Sequence, residues 1–126
     1  MNRHIGALTL ALAATLISGC RLDVPSLASG DIAIYESGHL VQSRRLSKVE
    51  MSRISSWFVD NRAGWEHFVA TPLGNPTVKF TATDGTPVGL YILGNYVVVN
   101  SRASQFGQSF KEEQLSRLYL ALGVKK

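Results

Sequence analysis

Residues 88–99 read VGLYILGNYVVV, and this stretch decides the fold class. Two runs rich in β-branched and aromatic residues, Val88–Leu93 and Tyr96–Val99, flank Gly94 and Asn95. That dipeptide suits a tight two-residue hairpin turn. Upstream, Thr77–Thr83 alternates, with Val78, Phe80 and Ala82 on one face. The tetrad 84–87 (DGTP) between these runs has turn chemistry: an Asp that bonds its own backbone, a Gly and a Pro. Consecutive antiparallel strands follow. Before them, 71–76 (TPLGNP) reads as a loop and Glu66–Ala70 as a short strand.

The flanks add helices. Ser47 with Glu50 three residues on is a capping box, and Met51, Ile54, Trp57 and Phe58 follow at helical spacing. The pattern predicts a helix from Lys48 to about Arg62, stopped by Gly64, with Trp57 and Phe58 facing inward. Before it, Asp31–Tyr35 and Leu40–Arg45 read as a hairpin about Ser37 and Gly38, with Ile32 and Ile34 on one face. After the central strands, Arg102–Gln108 reads as a polar loop around Gly107. Ser109 and Glu112 then form a second capping box. Leu115, Leu118, Tyr119 and Leu122 make an i, i+3, i+4, i+7 stripe that ends at Gly123. The expected fold is α+β: a small antiparallel sheet with two helices packed on one face.

The N-terminus has another character. Residues 1–20 read MNRHIGALTLALAATLISGC. Arg3 supplies a positive start, Ile5–Ile17 is apolar apart from Gly6, Thr9 and Thr15, and Ser18 and Gly19 are small. This is the layout of an export signal, too short to span a bilayer. The ending Ile17, Ser18, Gly19, Cys20 resembles the lipobox of bacterial lipoprotein precursors. The resemblance implies a diacylglycerol on the Cys20 thiol, cleavage between Gly19 and Cys20, and acylation of the new amino group. A single fatty chain holds only marginally, whereas two or three on one residue anchor stably. Arg21 stands where an Asp would retain such a protein at the inner membrane. The resemblance therefore implies the outer membrane, with the domain on the periplasmic face. The chain divides into a signal (1–19), a lipidated Cys with a tether (20–30) and one globular α+β domain (31–126). As a tether, 21–30 (RLDVPSLASG) extends about 30 Å at most.

Composition narrows the function. The formal charge of +4 falls by one when Arg3 leaves with the signal. Export makes nucleic acid a poor partner for this mildly basic chain. Anionic head groups, cell-wall carboxylates or an acidic envelope protein fit better. Cys20 is the one cysteine, so packing alone stabilises the domain.

Few groups suggest chemistry. His39 and His67 lie on separate strands, short of the three or four converging ligands a metal needs. The sequence contains no Gly-x-Ser-x-Gly elbow. Glu50, Glu112 and Glu113 suit helix starts and Asp84 a turn, leaving few carboxylates for hydrolysis. The expectation is no catalytic residue, no metal and no cofactor beyond the lipid on Cys20. For partner binding, Trp57 and Trp65 bracket Arg62 at a helix end, and Arg102 opens the 101–108 loop. Trp and Arg are favoured at binding hot spots. The competing reading is that both Trp cap the core. The strip Arg44, Arg45, Lys48 and Arg53 reads as an anion-facing surface or a solvated one.

Two functions suit these features. One is a non-catalytic binding or assembly module anchored at the outer membrane, partnered by an envelope protein or the cell wall. The other is an inhibitor or immunity lipoprotein against a periplasmic toxin or lysozyme-like enzyme. That task needs a loop able to plug a cleft, such as 72–76 or 101–108. A cell-wall hydrolase is disfavoured by the carboxylate census.

Overall fold

The computed structural model describes residues 20–102 and 104–126. The signal 1–19, with the cleavage position Gly19, lies outside the described residues, as does Ala103 in the 101–108 segment.

The central hairpin forms as its sequence dictates. β5 (Pro87–Leu93) and β6 (Tyr96–Ser101) pair about Gly94 and Asn95, with Gly94 at φ 62°. A φ in that range costs glycine nothing. β4 (Thr77–Ala82) pairs with β5 and buries Val78, Phe80 and Ala82. β1 (Leu27–Glu36) lies against β4, and β2 (His39–Arg45) follows it about Ser37 and Gly38.

Beyond β6 lies a strand absent from the sequence reading. Residues expected as a polar loop form β7 (Ser104–Ser109), in antiparallel register with β6. Pairing overrides its weak propensity, and the Tyr96 ring lies over Gly107, where an added Cβ would fall 2.5 Å from its hydroxyl oxygen. β3 is shorter than expected, only Glu66–His67, and closes the far edge against β7. The result is one seven-stranded antiparallel sheet ordered β2-β1-β4-β5-β6-β7-β3.

Both helices pack on one face of it. α1 (Lys48–Asp60) has the expected capping box: Glu50 N–H donates to Ser47 Oγ (3.1 Å) and Ser47 N–H to Glu50 Oε1 (2.8 Å). It ends at Asp60, just short of the expected Arg62, because the N–H and side-chain amide of the C-cap Asn61 both donate to Trp57 O. α2 (Glu112–Leu122) starts later than expected. Ser109 remains in β7, and the N-cap is Lys111, whose N–H donates to Gln114 Oε1 (3.2 Å). The expected stripe holds: Leu115, Leu118 and Leu122 are buried and Tyr119 is half-buried.

One apolar cluster joins these helices to Ile32, Val78, Phe80, Leu90, Ile92, Val97 and Val99 of the sheet. Arg44 fastens the helix layer to β2. It forms a bidentate pair with Glu50 (2.8 and 3.0 Å) and donates to Leu122 O (3.0 Å) at the end of α2. A cation there also meets the negative end of the helix dipole. The guanidinium bond holds the Glu50 carboxyl at about 2, far below its ordinary value, and the Arg44 guanidinium is raised in turn. So Arg44 is a structural clamp, not part of an open cationic strip.

The segment 20–30 is not a free tether. Trp65 N–H donates to Cys20 O (3.1 Å), Leu22 N–H donates to Arg62 O (2.8 Å), and Leu22 is buried. β1 already begins at Leu27. Leu22, Val24 and Leu27 are too few and too unevenly spaced to read as an element, yet burying Leu22, packing the other two on the core and pairing the backbone fixes the segment on the domain.

Candidate functional site

Two of the expected contact residues are core. Trp65 is fully buried and Trp57 is 5% exposed. Their rings stand 5.5 and 5.1 Å from Phe110, and their indole N–H groups donate to Asn61 O (2.7 Å) and Gln114 O (3.1 Å). Both polar tips are satisfied internally, so neither Trp offers a contact surface. Arg62 is half-buried beside Leu22, its backbone holding the N-terminal segment. Of the four, only Arg102 is exposed. The structure does not bring it together with the two Trp, because it sits in the β6–β7 turn at one end of the sheet.

The sheet face away from the helices carries a well-formed concavity. In a strand, successive side chains point to opposite faces. Val97 and Val99 join the core, so Tyr96, Val98 and Asn100 face away from the helices. Cross-strand register then sets out rows on this second face. One row is Thr77, Tyr91, Val98, Gly107 and Glu66. The next is Lys79, Gly89, Asn100 and Gln105. Arg102 lies one step further along β6.

Residues 68–76 cross the face as a strap. Phe68 N–H donates to Gln105 O (2.9 Å), and the Gln105 side-chain amide donates to Phe68 O (2.9 Å) and Ala70 O (2.7 Å). At the other end Asn75 N–H donates to Ile92 O (2.8 Å), and its side chain bonds both backbone groups of Tyr35. Gly74 permits the close crossing: a Cβ there would lie 2.6 Å from Ile92 N. Beneath the strap Val98 is 1% exposed although it faces away from the main core. Phe68 and Tyr96, ring centroids 5.8 Å apart, complete a small second apolar layer.

The strap covers one row and leaves the next open. The result is a groove of about 720 Å³, with Phe68 and Val69 on one wall, Gly89, Tyr91 and Asn100 on the floor, and Lys79, Arg102, Ser104 and Gln105 around the rim. This lies within the usual size of small-molecule sites, about 300–1,000 Å³. Gly89 lets Asn100 and Tyr91 fold over the strand: a Cβ there would collide with Asn100 Oδ1 and fall 2.8 Å from the Tyr91 ring, and both side chains would have to move.

The groove is electrostatically one-sided. Among the described residues its lining includes Lys79 and Arg102 but no Asp or Glu. Arg102 reaches Asp84 (3.2 Å), outside the groove in the β4–β5 turn. Asp84 also accepts from Thr86 N–H (2.9 Å), and that bond chiefly lowers its pKa. Asp31, next to Lys79 in register, pairs with Arg45 (3.4 Å). Lys79 has no ion-pair partner among the described residues. Arg102 adopts φ 57°, a left-handed conformation uncommon outside glycine. The tight turn requires it, and it aims the side chain back over the β4–β5 turn.

His39 is exposed on the edge strand, and the His67 ring stands 4.8 Å from Phe106. Among the described residues, no three His, Cys, Asp or Glu gather as a metal site. The sequence reading missed Lys79, Gly89, Tyr91 and Asn100, and included Gln105 only as part of the 101–108 segment. Each is ordinary alone, and only the register makes them neighbours. A polar Lys79 between buried Val78 and Phe80 was the available signal, because it marks the strand's outward face.

Compared with known proteins, the chain matches no family model, no curated protein and no solved structure.

Proposed function

We propose that this chain is an outer-membrane lipoprotein of the periplasmic face, anchored through Cys20, that acts as a non-catalytic binding module with the strapped groove as its ligand site. The observation that carries the reading is the groove: a preformed recess with an uncommitted lysine, an arginine and side-chain amides, walled by a strap pinned at both ends. Several acidic groups that chemistry would need are already engaged. Glu50 is held by Arg44, Asp84 by Thr86 and Arg102, and Asp31 by Arg45. That engagement supports binding over catalysis.

The anchor reading gains a geometric consequence. Cys20 O is hydrogen-bonded to the fully buried Trp65, so lipid on Cys20 would hold the domain directly against the bilayer. Proximity to a membrane-bound partner raises effective concentration. An inhibitor or immunity role is the second reading. It is favoured by the strap, which presents Val69 (98% exposed) and Leu73 (71% exposed) to solvent, as a cleft-plugging loop would.

Mass spectrometry of the mature protein should find an acylated N-terminal Cys20, and an unmodified N-terminus elsewhere would overturn the anchor. Envelope pull-downs compare wild type with Lys79→Gln and with Leu73→Ser, at a strap residue outside the groove lining. Loss of partner with the first supports the groove. Loss only with the second moves the function to the strap's outer surface.

A further inference from the structure

The ligand class can be read from the groove's own chemistry, and the inference rests on the reading of this recess as the binding site. We infer that the groove takes an anionic small molecule: one carboxylate or phosphate group joined to a ring or short apolar body.

The anion position follows from register. Lys79 on β4 and Arg102 at the end of β6 are separated by two strand spacings, about 10 Å, with Gly89 and Pro87 of β5 between them. Both residues line the recess, and their side chains are long enough to reach one anion bound at its rim. Asn100 turns its Oδ1 toward that glycine and its amide toward Gln105 Oε1 (3.5 Å), so it bounds the floor while the two cations carry the anion contact. Gln105 is committed to the strap carbonyls and serves as a positioning residue. Among the described residues no carboxylate in the lining opposes an anion.

The body position follows from volume and polarity. A lone anion would occupy a small part of about 720 Å³. The remaining wall is Phe68, Val69 and Tyr91, which suits a ring or a short chain. Tyr91 carries a hydroxyl with no hydrogen-bond partner among the described residues, and this adds a polar contact at the floor.

Asp84 is the built-in competitor. It holds Arg102 by an exposed ion pair, the kind worth little and easily exchanged for a ligand anion. Removing its charge should therefore tighten binding, an effect that a merely structural role for Arg102 would not produce.

The test is an amide chemical-shift titration of the purified full mature protein in a neutral detergent. Phenyl phosphate and N-acetylphenylalanine are the probes. Their controls are neutral N-acetylphenylalaninamide and inorganic phosphate. Both probes should shift Gly89, Asn100 and Gln105. The neutral amide should bind at least about tenfold more weakly, the loss expected for a charged hydrogen bond. Inorganic phosphate should also be weaker, for want of a body. Lys79→Gln should weaken the probes about tenfold, and Asp84→Asn should tighten them up to about fivefold. Dihexanoylphosphatidylglycerol separates two sources of the same chemistry. If it displaces phenyl phosphate, a lipid head group is the source. If it does not, the ligand is a soluble anion, and either outcome supports the site. Equal binding of the neutral amide, or probe affinity unchanged in Lys79→Gln with an intact spectrum, would overturn the inference. The acylation of Cys20 is read independently by mass, so failure here leaves the anchor standing.

Discussion

The two faces of the sheet are built by different means. The helix-covered face is closed chiefly by many apolar side chains, with the Arg44 clamp and two indole bonds added: Ile32, Ile54, Leu90, Ile92, Leu118 and Leu122 are fully buried members of the shared cluster. The strapped face is closed by a few directional bonds, from Gln105 to the backbone of the 68–76 segment and from that segment's Asn75 to Tyr35 and Ile92, over a thin layer of Phe68, Tyr91, Tyr96 and Val98. Apolar burial scales with area and tolerates small shifts, while side-chain amides fix a segment at chosen points. So stability resides on the first face, and the second is free to keep an open recess. Substitutions on each side should separate these roles.

The largest effect belongs to the helix face. Leu118→Ala should cost about 2–5 kcal/mol in denaturant unfolding, through lost burial and a cavity beneath α2. Trp65→Ala should cost about 3–5 kcal/mol and also loosen the Cys20 attachment. An unchanged midpoint in either would mean that the core is not continuous across both helices.

The Arg44–Glu50 clamp comes next. The Glu50 carboxyl is held at about 2, below its ordinary 4.5. Its contribution is therefore fully present above about pH 4.5 and lost as pH falls toward 2. Partial exposure of the pair limits this to about 1–2 kcal/mol. Glu50→Gln should flatten that part of the acid limb of the stability profile. An acid limb unchanged by this substitution would show the pair to be inert.

On the strapped face the effects shrink. Gln105→Ala removes two bonds to the strap and should cost about 1 kcal/mol overall. It should speed proteolytic nicking within 68–76 far more than it lowers the melting midpoint. A large global loss would erase the distinction between the faces. Asp84→Asn, at an exposed pair, should leave the melting midpoint unchanged while still altering anion binding.

The same division governs what could be read from sequence. Val78, Phe80 and Ala82, the Gly94–Asn95 hairpin and the Leu115–Leu122 stripe were legible because periodicity and turn chemistry are local. β7 was not, because SQFGQS is polar and becomes a strand only through pairing with β6 and the packing of Tyr96 on Gly107. The Trp57–Trp65 segment drew attention by composition, yet Phe110, distant in sequence, places both rings in the core. Leu22 and Cys20 were read as tether because backbone pairing to Arg62 and Trp65 leaves no sequence pattern. The groove was invisible for a related reason. It is a row across four strands, and one residue of slip in any pair would scatter Lys79, Gly89, Asn100 and Gln105 to both faces.

Photo-crosslinking in intact cells tests the central claim, that the strapped face is the working face, most directly. One variant carries the crosslinker at Thr81, exposed beside Lys79 on β4, and the other at Leu120, exposed on the helix layer. The account predicts a defined adduct from position 81 that disappears when Lys79→Gln is added, and none from position 120. An adduct from position 120 alone, or one from position 81 indifferent to Lys79, would contradict it.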